Sequence, residues 1–221
     1  MMRELVNELM SDGVLKTPEI IQAFLHIDRA DFLPPGMKSF AYSNEPVPIG
    51  YGQTMSQPWT VAFMLELLGP KESEQILDIG SGSSWQTALL SFIVSHDSFG
   101  NELPSEKWGR VIGIELIPEL AQMGRKSIFS YNFIKKGIAE IHCLNAGSGF
   151  PGGAPYDKII AAATGVSIPD AWKKQLKEGG ILVAPVRSKI VRLQKKEGDA
   201  WGEEEFPGFA FVPFIPSDEN S

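Results

Sequence analysis

Apolar and polar positions follow two different periods along this chain, and the change from one to the other divides it. Near the N-terminus Ile20, Ile21, Phe24 and Ile27 recur at helical spacing. Thr17-Pro18 ahead of them reads as an N-cap followed by a first-turn proline. Pro34-Pro35-Gly36 closes that element, and residues 40–57 carry no periodicity, which predicts a long loop of the kind that usually has a function. Val61, Met64, Leu65 and Leu68 return to one helical face. From Gln75 onward short apolar runs alternate with helical segments: strands over 75–79, 111–114, 138–144, 158–163 and 181–185, helices near 84–95, 118–135 and 170–177. That order means βαβ units and a buried, mostly parallel sheet. The ending departs from it, because 189–195 and 209–214 are strand-like with no helix between them, which predicts an antiparallel hairpin on the sheet edge. The expectation is an α/β fold with at most six parallel-type strands and one antiparallel strand. It forms a single domain: N-terminal helices and a covering loop over 1–70, a ligand-binding core over 71–186, a hairpin over 187–216 and a tail over 217–221.

Composition narrows the class. A length of 221 residues suits one domain with a full core, and 43% apolar with 21% charged residues excludes disordered and fibrous chains. Twenty basic against 27 acidic residues leave −7, a surface that gains little from phosphate counterion release, so no nucleic-acid partner is expected. The single cysteine, Cys143, excludes an internal disulfide, and no Cys/His spacing suggests a metal site. Arg3, Glu4 and Glu8 interrupt any signal-peptide core, and the longest uncharged run, 46–65, contains three prolines and two glycines, so no membrane span is expected. These features predict a cytoplasmic protein, taken to be a monomer.

Two segments carry candidate chemistry. Ile76-Leu77-Asp78-Ile79-Gly80-Ser81-Gly82-Ser83-Ser84 is an apolar strand running into a small-residue turn and a helix, a geometry that brings a ligand to backbone N–H groups. A dinucleotide fingerprint would place a third glycine where Ser84 stands. Asp78 ahead of the glycines is more typical of S-adenosylmethionine (AdoMet) sites, where a carboxylate lies near the methionine end of the cofactor; it can equally cap the following helix. Val111-Ile112-Gly113-Ile114-Glu115 is a strand ending in an acid that can accept both hydrogen bonds of a ribose diol. Gly82 and Glu115 are 33 residues apart, longer than the usual ~20, and the polar stretch 96–107 reads as an inserted surface loop that explains the excess.

A third segment, Ala41-Tyr42-Ser43-Asn44-Glu45-Pro46-Val47-Pro48-Ile49-Gly50-Tyr51-Gly52-Gln53-Thr54-Met55-Ser56-Gln57-Pro58, closely resembles the Pro-Ile-Gly-x-Gly-Gln-Thr-Ile-Ser-x-Pro loop of the protein-L-isoaspartate (D-aspartate) O-methyltransferase family. The resemblance extends from about Ile20 to Pro213, through Ala154-Pro155-Tyr156-Asp157, Gln175-Leu176-Lys177-Glu178-Gly179-Gly180 and Phe211-Val212-Pro213. It implies a Rossmann-like AdoMet-dependent methyltransferase fold. It also implies a carboxyl O-methyltransferase that methylates L-isoaspartyl, and in some members D-aspartyl, residues of damaged proteins for repair. By that resemblance Ser56, with Thr54 beside it, is the catalytic pair. Asp78, Gly80, Ser81, Gly82, Glu115, Asn145 and Ala146 contact the cofactor, and Gln53, Val212 and Pro213 meet the substrate. Asn145 falls where the family usually has an Asp at the adenine amino group, and its carbonyl can still accept from that amine.

Four positions depart from the family pattern: Ser84 in the glycine turn, Asn44 in place of an Asp, Arg187 where Pro-Val-Gly is usual, and Ser188-Lys189-Ile190 where a Gln is expected. Read from the residues alone, Ser56 can instead be the N-cap of the helix that begins near Pro58. A methyltransferase for another peptide carboxylate, and a member that binds AdoMet without turnover, stay open beside the isoaspartyl reading. The proposed chemistry needs few special groups: a side-chain carboxylate with a reference pKa of about 4 is already an ionised nucleophile at neutral pH. His26, His96 and His142 lie on different elements and read as structural or solvent-facing.

Overall fold

The computed structural model describes residues 1–213, the side chain of Asp199 excepted. Helices α1 (Met2–Ser11) and α2 (Pro18–His26) lead to a small hairpin, β1 (Val47–Gly50) and β2 (Gln53–Met55), and to α3 (Pro58–Leu68). The core alternates β3 (Gln75–Ile79), α4 (Trp85–Ile93), β4 (Arg110–Glu115), α5 (Pro118–Phe129), β5 (Ala139–Cys143), β6 (Tyr156–Ala161), α6 (Asp170–Lys174) and β7 (Leu176–Val186). It ends in β8 (Lys189–Lys195) and β9 (Trp201–Pro207). The main sheet has the order β5-β4-β3-β6-β7-β8-β9. Its first five strands are parallel and its last two antiparallel.

Successive strand residues serve opposite faces. Ile76, Val111, Ile141 and Ile160 face a core shared with α1 to α5, while Leu77, Ile79, Ile112, Ile114 and Ile159 face a second core with Trp172 of α6. Being covered on both sides explains why β3 and β4 read as continuous apolar runs. All nine residues of α4 are buried, because α2 packs on its outer side.

Several expectations need correction. Residues 40–57 are not all loop: β1 and β2 pair through Tyr51 and Gly52, both at positive φ, a two-residue turn that matches strand twist. The helix expected to reach 135 stops at Phe129, ahead of left-handed Asn132. The helix expected to reach 177 stops at Lys174, since Leu176 already pairs with Tyr156 and Gly179-Gly180 sits in the register break that follows. The edge carries two antiparallel strands rather than one. The outer one is Trp201–Pro207, not 209–214. Its acidic run hid it: Glu204 and Glu205 face solvent and pair with Arg192 and Lys189 of β8, so only a sparse apolar pattern remains. Residues 209–213 form no sheet strand, and Pro213 makes a single parallel bridge to Thr164. Phe214, the rest of the expected hairpin to 216 and the tail over 217–221 lie outside the described residues. The segment 96–107 is a surface excursion, with Phe99 exposed, Glu102 paired with Lys136, and Trp108 Nε1 donating to the Leu103 carbonyl. Among the described residues no helix is long and apolar enough to cross a membrane, and no group of three or more His, Cys, Asp or Glu could hold a metal ion.

Candidate active site

The strand order reverses between β3 and β6, and a cleft opens at the carboxyl ends of the strands there, the usual ligand position in open α/β sheets. Ile79, Gly80 and Gly82 form one wall, Glu115 to Ile117 the next, Leu144 to Ala146 a third, and Ala162-Ala163 the last. Ile49, Gln53, Thr54, Val212 and Pro213 close it from above. The glycine turn is left-handed at both Gly80 and Gly82, φ +75° and +54°. The amides of Gly80 and Ser81 donate to the Ile114 carbonyl at 2.8 and 2.9 Å, which ties the turn to β4. Ile49 of β1 reaches the turn so closely that a Cβ on Gly82 would lie 3.2 Å from its Cδ1.

Glu115 is 7% exposed, and each of its oxygens already holds the scaffold: Oε2 accepts from the Gly82 N–H at 2.7 Å, Oε1 from the Ile117 N–H at 2.9 Å. One carboxylate therefore joins the glycine turn to the start of α5 and keeps further lone pairs toward the cleft. Asn145 and Ala146 form the lip opposite. Asn145 Oδ1 accepts from the Gly147 N–H, Trp172 Nε1 donates to the Ala146 carbonyl, and Gln175 clamps Ser148 and Phe150.

Asp78 does not line the cleft. Its carboxylate is fully buried behind the turn, accepting from Gln86 Nε2 at 2.8 Å and Thr87 Oγ1 at 2.6 Å. Burial pushes its pKa up to about 6, partly offset by those two donors. Ser81 also faces inward rather than into the cleft, and its hydroxyl has no hydrogen-bond partner. Ser84 occupies a left-handed position, φ +71°, and fits because Gly124 of α5 leaves room: a Cβ there would stand 2.1 Å from Ser84 Oγ.

Beside the cleft runs a broader groove lined by Ser56, Thr54, Gln57, Trp59, Thr60 and the segment 207–212. Thr54, Ala162 and Val212 line both cavities, so the two meet at the loop that carries Ser56. Ser56 is not the cap of α3. The N-cap residue is Gln57, and the free Trp59 N–H is taken by Asn44 Oδ1 at 3.0 Å, so the Asn44 departure is explained by helix capping. Gln53 and Pro213, expected at the substrate, border the cleft rather than the groove, and the Val212 carbonyl is occupied by the Thr164 N–H at 2.8 Å.

The chain is similar to a protein-L-isoaspartate O-methyltransferase of Pyrococcus abyssi, at 36% identity over 95% of this chain and 92% of that protein. One from Dictyoglomus thermophilum is 37% identical over 96% and 89%. The family model described as protein-L-isoaspartate(D-aspartate) O-methyltransferase matches residues 1–219. The chain belongs to this family. In fold it is similar to a protein-L-isoaspartate O-methyltransferase structure at TM-score 0.81 and 23% identity, spanning 96% of this chain and 65% of that longer one. A Plasmodium falciparum protein-L-isoaspartate O-methyltransferase solved with S-adenosyl-L-homocysteine superposes equally well at 21% identity, over 96% and 97% of the two chains. These two likenesses speak to the fold: a Rossmann-like methyltransferase sheet.

Two features of the site were not anticipated from the sequence. The Ala162-Ala163 wall is a run of small residues following a strand, a signal that could have been used. Arg29 gave none: it stands in an ordinary polar-apolar stretch, yet its side chain is fully buried under the loop of Ser56.

Proposed function

We propose that this family member is an AdoMet-dependent carboxyl O-methyltransferase that methylates L-isoaspartyl residues of damaged proteins, with Ser56 and Thr54 at the reacting carboxylate. The observation that carries the assignment of residues is that the cleft at the strand ends and the groove beside Ser56 are adjacent and share Thr54, Ala162 and Val212 as lining. The cleft suits the cofactor: a glycine turn with its backbone accessible, an acid at the end of the second strand, and apolar walls from Ile79, Ile114, Leu116 and Leu144. Gly80, Gly82, Glu115, Asn145 and Ala146 would hold AdoMet directly, with Glu115 at the ribose. Asp78 and Ser81 would act by shaping the turn from behind. When bound, AdoMet supplies an activated methyl group that an ionised carboxylate can accept.

The protein's part is positioning. Ser56 Oγ donates to one oxygen of the isoaspartyl carboxylate, which needs no general base because it is ionised at neutral pH. Thr54 and Val212 hold the boundary between substrate and cofactor, and Gln53 and Pro213 close the cleft against water. Orientation of this kind contributes several kcal/mol to a barrier. The groove along 207–212 takes the flanking peptide. A single domain, a monomer, a cytoplasmic location and indifference to nucleic acid complete the proposal, in keeping with the net charge of −7. D-Aspartyl residues are a second substrate to test.

The deciding experiment is methyl transfer to an isoaspartyl peptide compared with its aspartyl twin of identical sequence. Base-labile methyl incorporation into the first alone is the expected result. Equal transfer to both, or to neither with AdoMet bound, would refute the substrate assignment.

A further inference from the structure

Arg29 has no exposed surface and makes no hydrogen bond to a carboxylate among the described residues. A guanidinium has five N–H donors, and here all five are used. Nε donates to Met55 Sδ at 3.2 Å, Nη1 to the carbonyls of Ala41 and Ser43 at 3.1 Å each, and Nη2 to the carbonyls of Glu45 at 2.9 Å and Ser56 at 3.1 Å. Every acceptor lies in residues 41–56, at both ends of the covering loop and hairpin. The guanidinium carbon also sits 5.3 Å from the centroid of the Trp85 ring, and Trp85 is the first residue of α4, directly after the cofactor turn. Neighbouring residues repeat the arrangement: Asp28 accepts from the Tyr42 hydroxyl at 3.0 Å.

We propose that Arg29 is a positioning residue for methyl transfer: it fixes the Ser56 backbone against the helix that carries the cofactor turn. The inference rests on the reading of Ser56 given above. Burying a cation with no anionic partner is costly, and a well-packed apolar group would hold a merely structural core as well or better. What an apolar side chain cannot do is gather four carbonyls from separated points of one loop. Burial pushes the Arg29 pKa down to about 10, which leaves it cationic at neutral pH, so all five donors persist. Lysine offers three donors and no planar fork, so at least two of the acceptors would lose their partner.

The test uses Arg29→Lys, Ser56→Ala, the double variant, and Glu66→Ala as a stability control. Glu66 accepts from the backbone N–H groups of Lys16 and Thr17 and from the Thr17 hydroxyl, on no wall of the cleft or groove. All are assayed on full-length protein well below their melting temperatures, with an isoaspartyl peptide. The expected result for Arg29→Lys is a kcat lower by roughly ten- to a hundredfold, the scale of a small misplacement of a reacting group, with AdoMet Kd within about threefold of wild type. Glu66→Ala should lose melting temperature yet keep kcat per folded molecule. In the double variant the losses should not multiply, because Arg29 acts through Ser56. Wild-type kcat in Arg29→Lys beside a slow Ser56→Ala overturns this inference alone, and so do losses that multiply. Wild-type kcat in Ser56→Ala overturns the reading of Ser56 instead. Should Arg29→Lys not fold, Met55→Leu removes only the Nε acceptor and should lower kcat a few fold at unchanged AdoMet Kd; an unchanged kcat there also overturns the proposal.

Discussion

Ser84 stands at a left-handed position in the turn where a glycine would be unstrained, and its effect can be worked from contacts already given. A non-glycine residue in that conformation costs about 1–2 kcal/mol. The hydroxyl is buried without a partner, which adds about 1–3 kcal/mol. Replacing it with glycine loses about 0.5–1 kcal/mol through the greater freedom of the unfolded chain. Ser84→Gly should therefore stabilise by about 2 kcal/mol, or roughly 4–8 °C in melting temperature at this chain length. Its neighbour makes the reasoning sharper. On Gly124, a Cβ would lie 2.1 Å from Ser84 Oγ and 3.0 Å from its Cβ, but no closer than 3.4 Å to the Gly82 carbonyl. Gly124→Ala in the wild type should cost about 1–3 kcal/mol in overpacking, set against a gain of about 1 kcal/mol in helix propensity. In the Ser84→Gly background the clash is gone and only the propensity gain remains. Denaturant unfolding of the four proteins should give a coupling of about 2 kcal/mol between the sites. Calorimetry should find AdoMet affinity nearly unchanged in Ser84→Gly, since Ser84 lines no part of the cleft. Additive effects, or a Ser84→Gly protein that melts lower than wild type, would refute the account of this turn.

Glu115→Gln should weaken AdoMet binding by roughly tenfold or more and also lower stability by about 2 kcal/mol, because the carboxylate holds both the Gly82 and Ile117 N–H groups; unchanged affinity in titration calorimetry would remove it from the ribose. Asp78 is held above its ordinary pKa, so the folded state takes up a proton more readily than the unfolded one. This group's contribution should lower stability as pH rises from about 4 to about 6. Asp78→Asn should flatten that part of the unfolding profile, and an identical pH dependence in both proteins would contradict it. Ser56→Ala should lower kcat by roughly ten- to a thousandfold with melting temperature unchanged, while Asn44→Ala, which removes the cap of α3, should cost about 1 kcal/mol of stability and little turnover. The reverse pattern would return Ser56 to a structural role.

What the chain's own order determined is everything written in short-range periodicity. Apolar runs of strand length between helical segments specify a parallel sheet covered on both faces, since each strand must bury both of its sides. The left-handed demands of the cofactor turn appear as Gly80 and Gly82, because few other residues accept those dihedrals cheaply. Glu115 at the end of its strand could be named for the same reason: strand end and acid are adjacent in sequence. The edge hairpin was foreseen but its outer strand was misplaced, because an edge strand is only partly buried and three consecutive exposed acids, Glu203 to Glu205, erased the apolar alternation. Tertiary structure alone decided the rest, and always through contacts between distant residues. Whether Asp78 faced the ligand or the core depended on Gln86 and Thr87 eight and nine residues on, and the cap of α3 came from Asn44 across a hairpin rather than from adjacent Ser56. Ser84 is tolerated only because Gly124 of another helix stands opposite it. Arg29 finds five acceptors twelve to twenty-seven residues away, four of them backbone carbonyls that any sequence possesses. A carbonyl carries no side-chain identity, so nothing in the order of residues could say where that arginine would point.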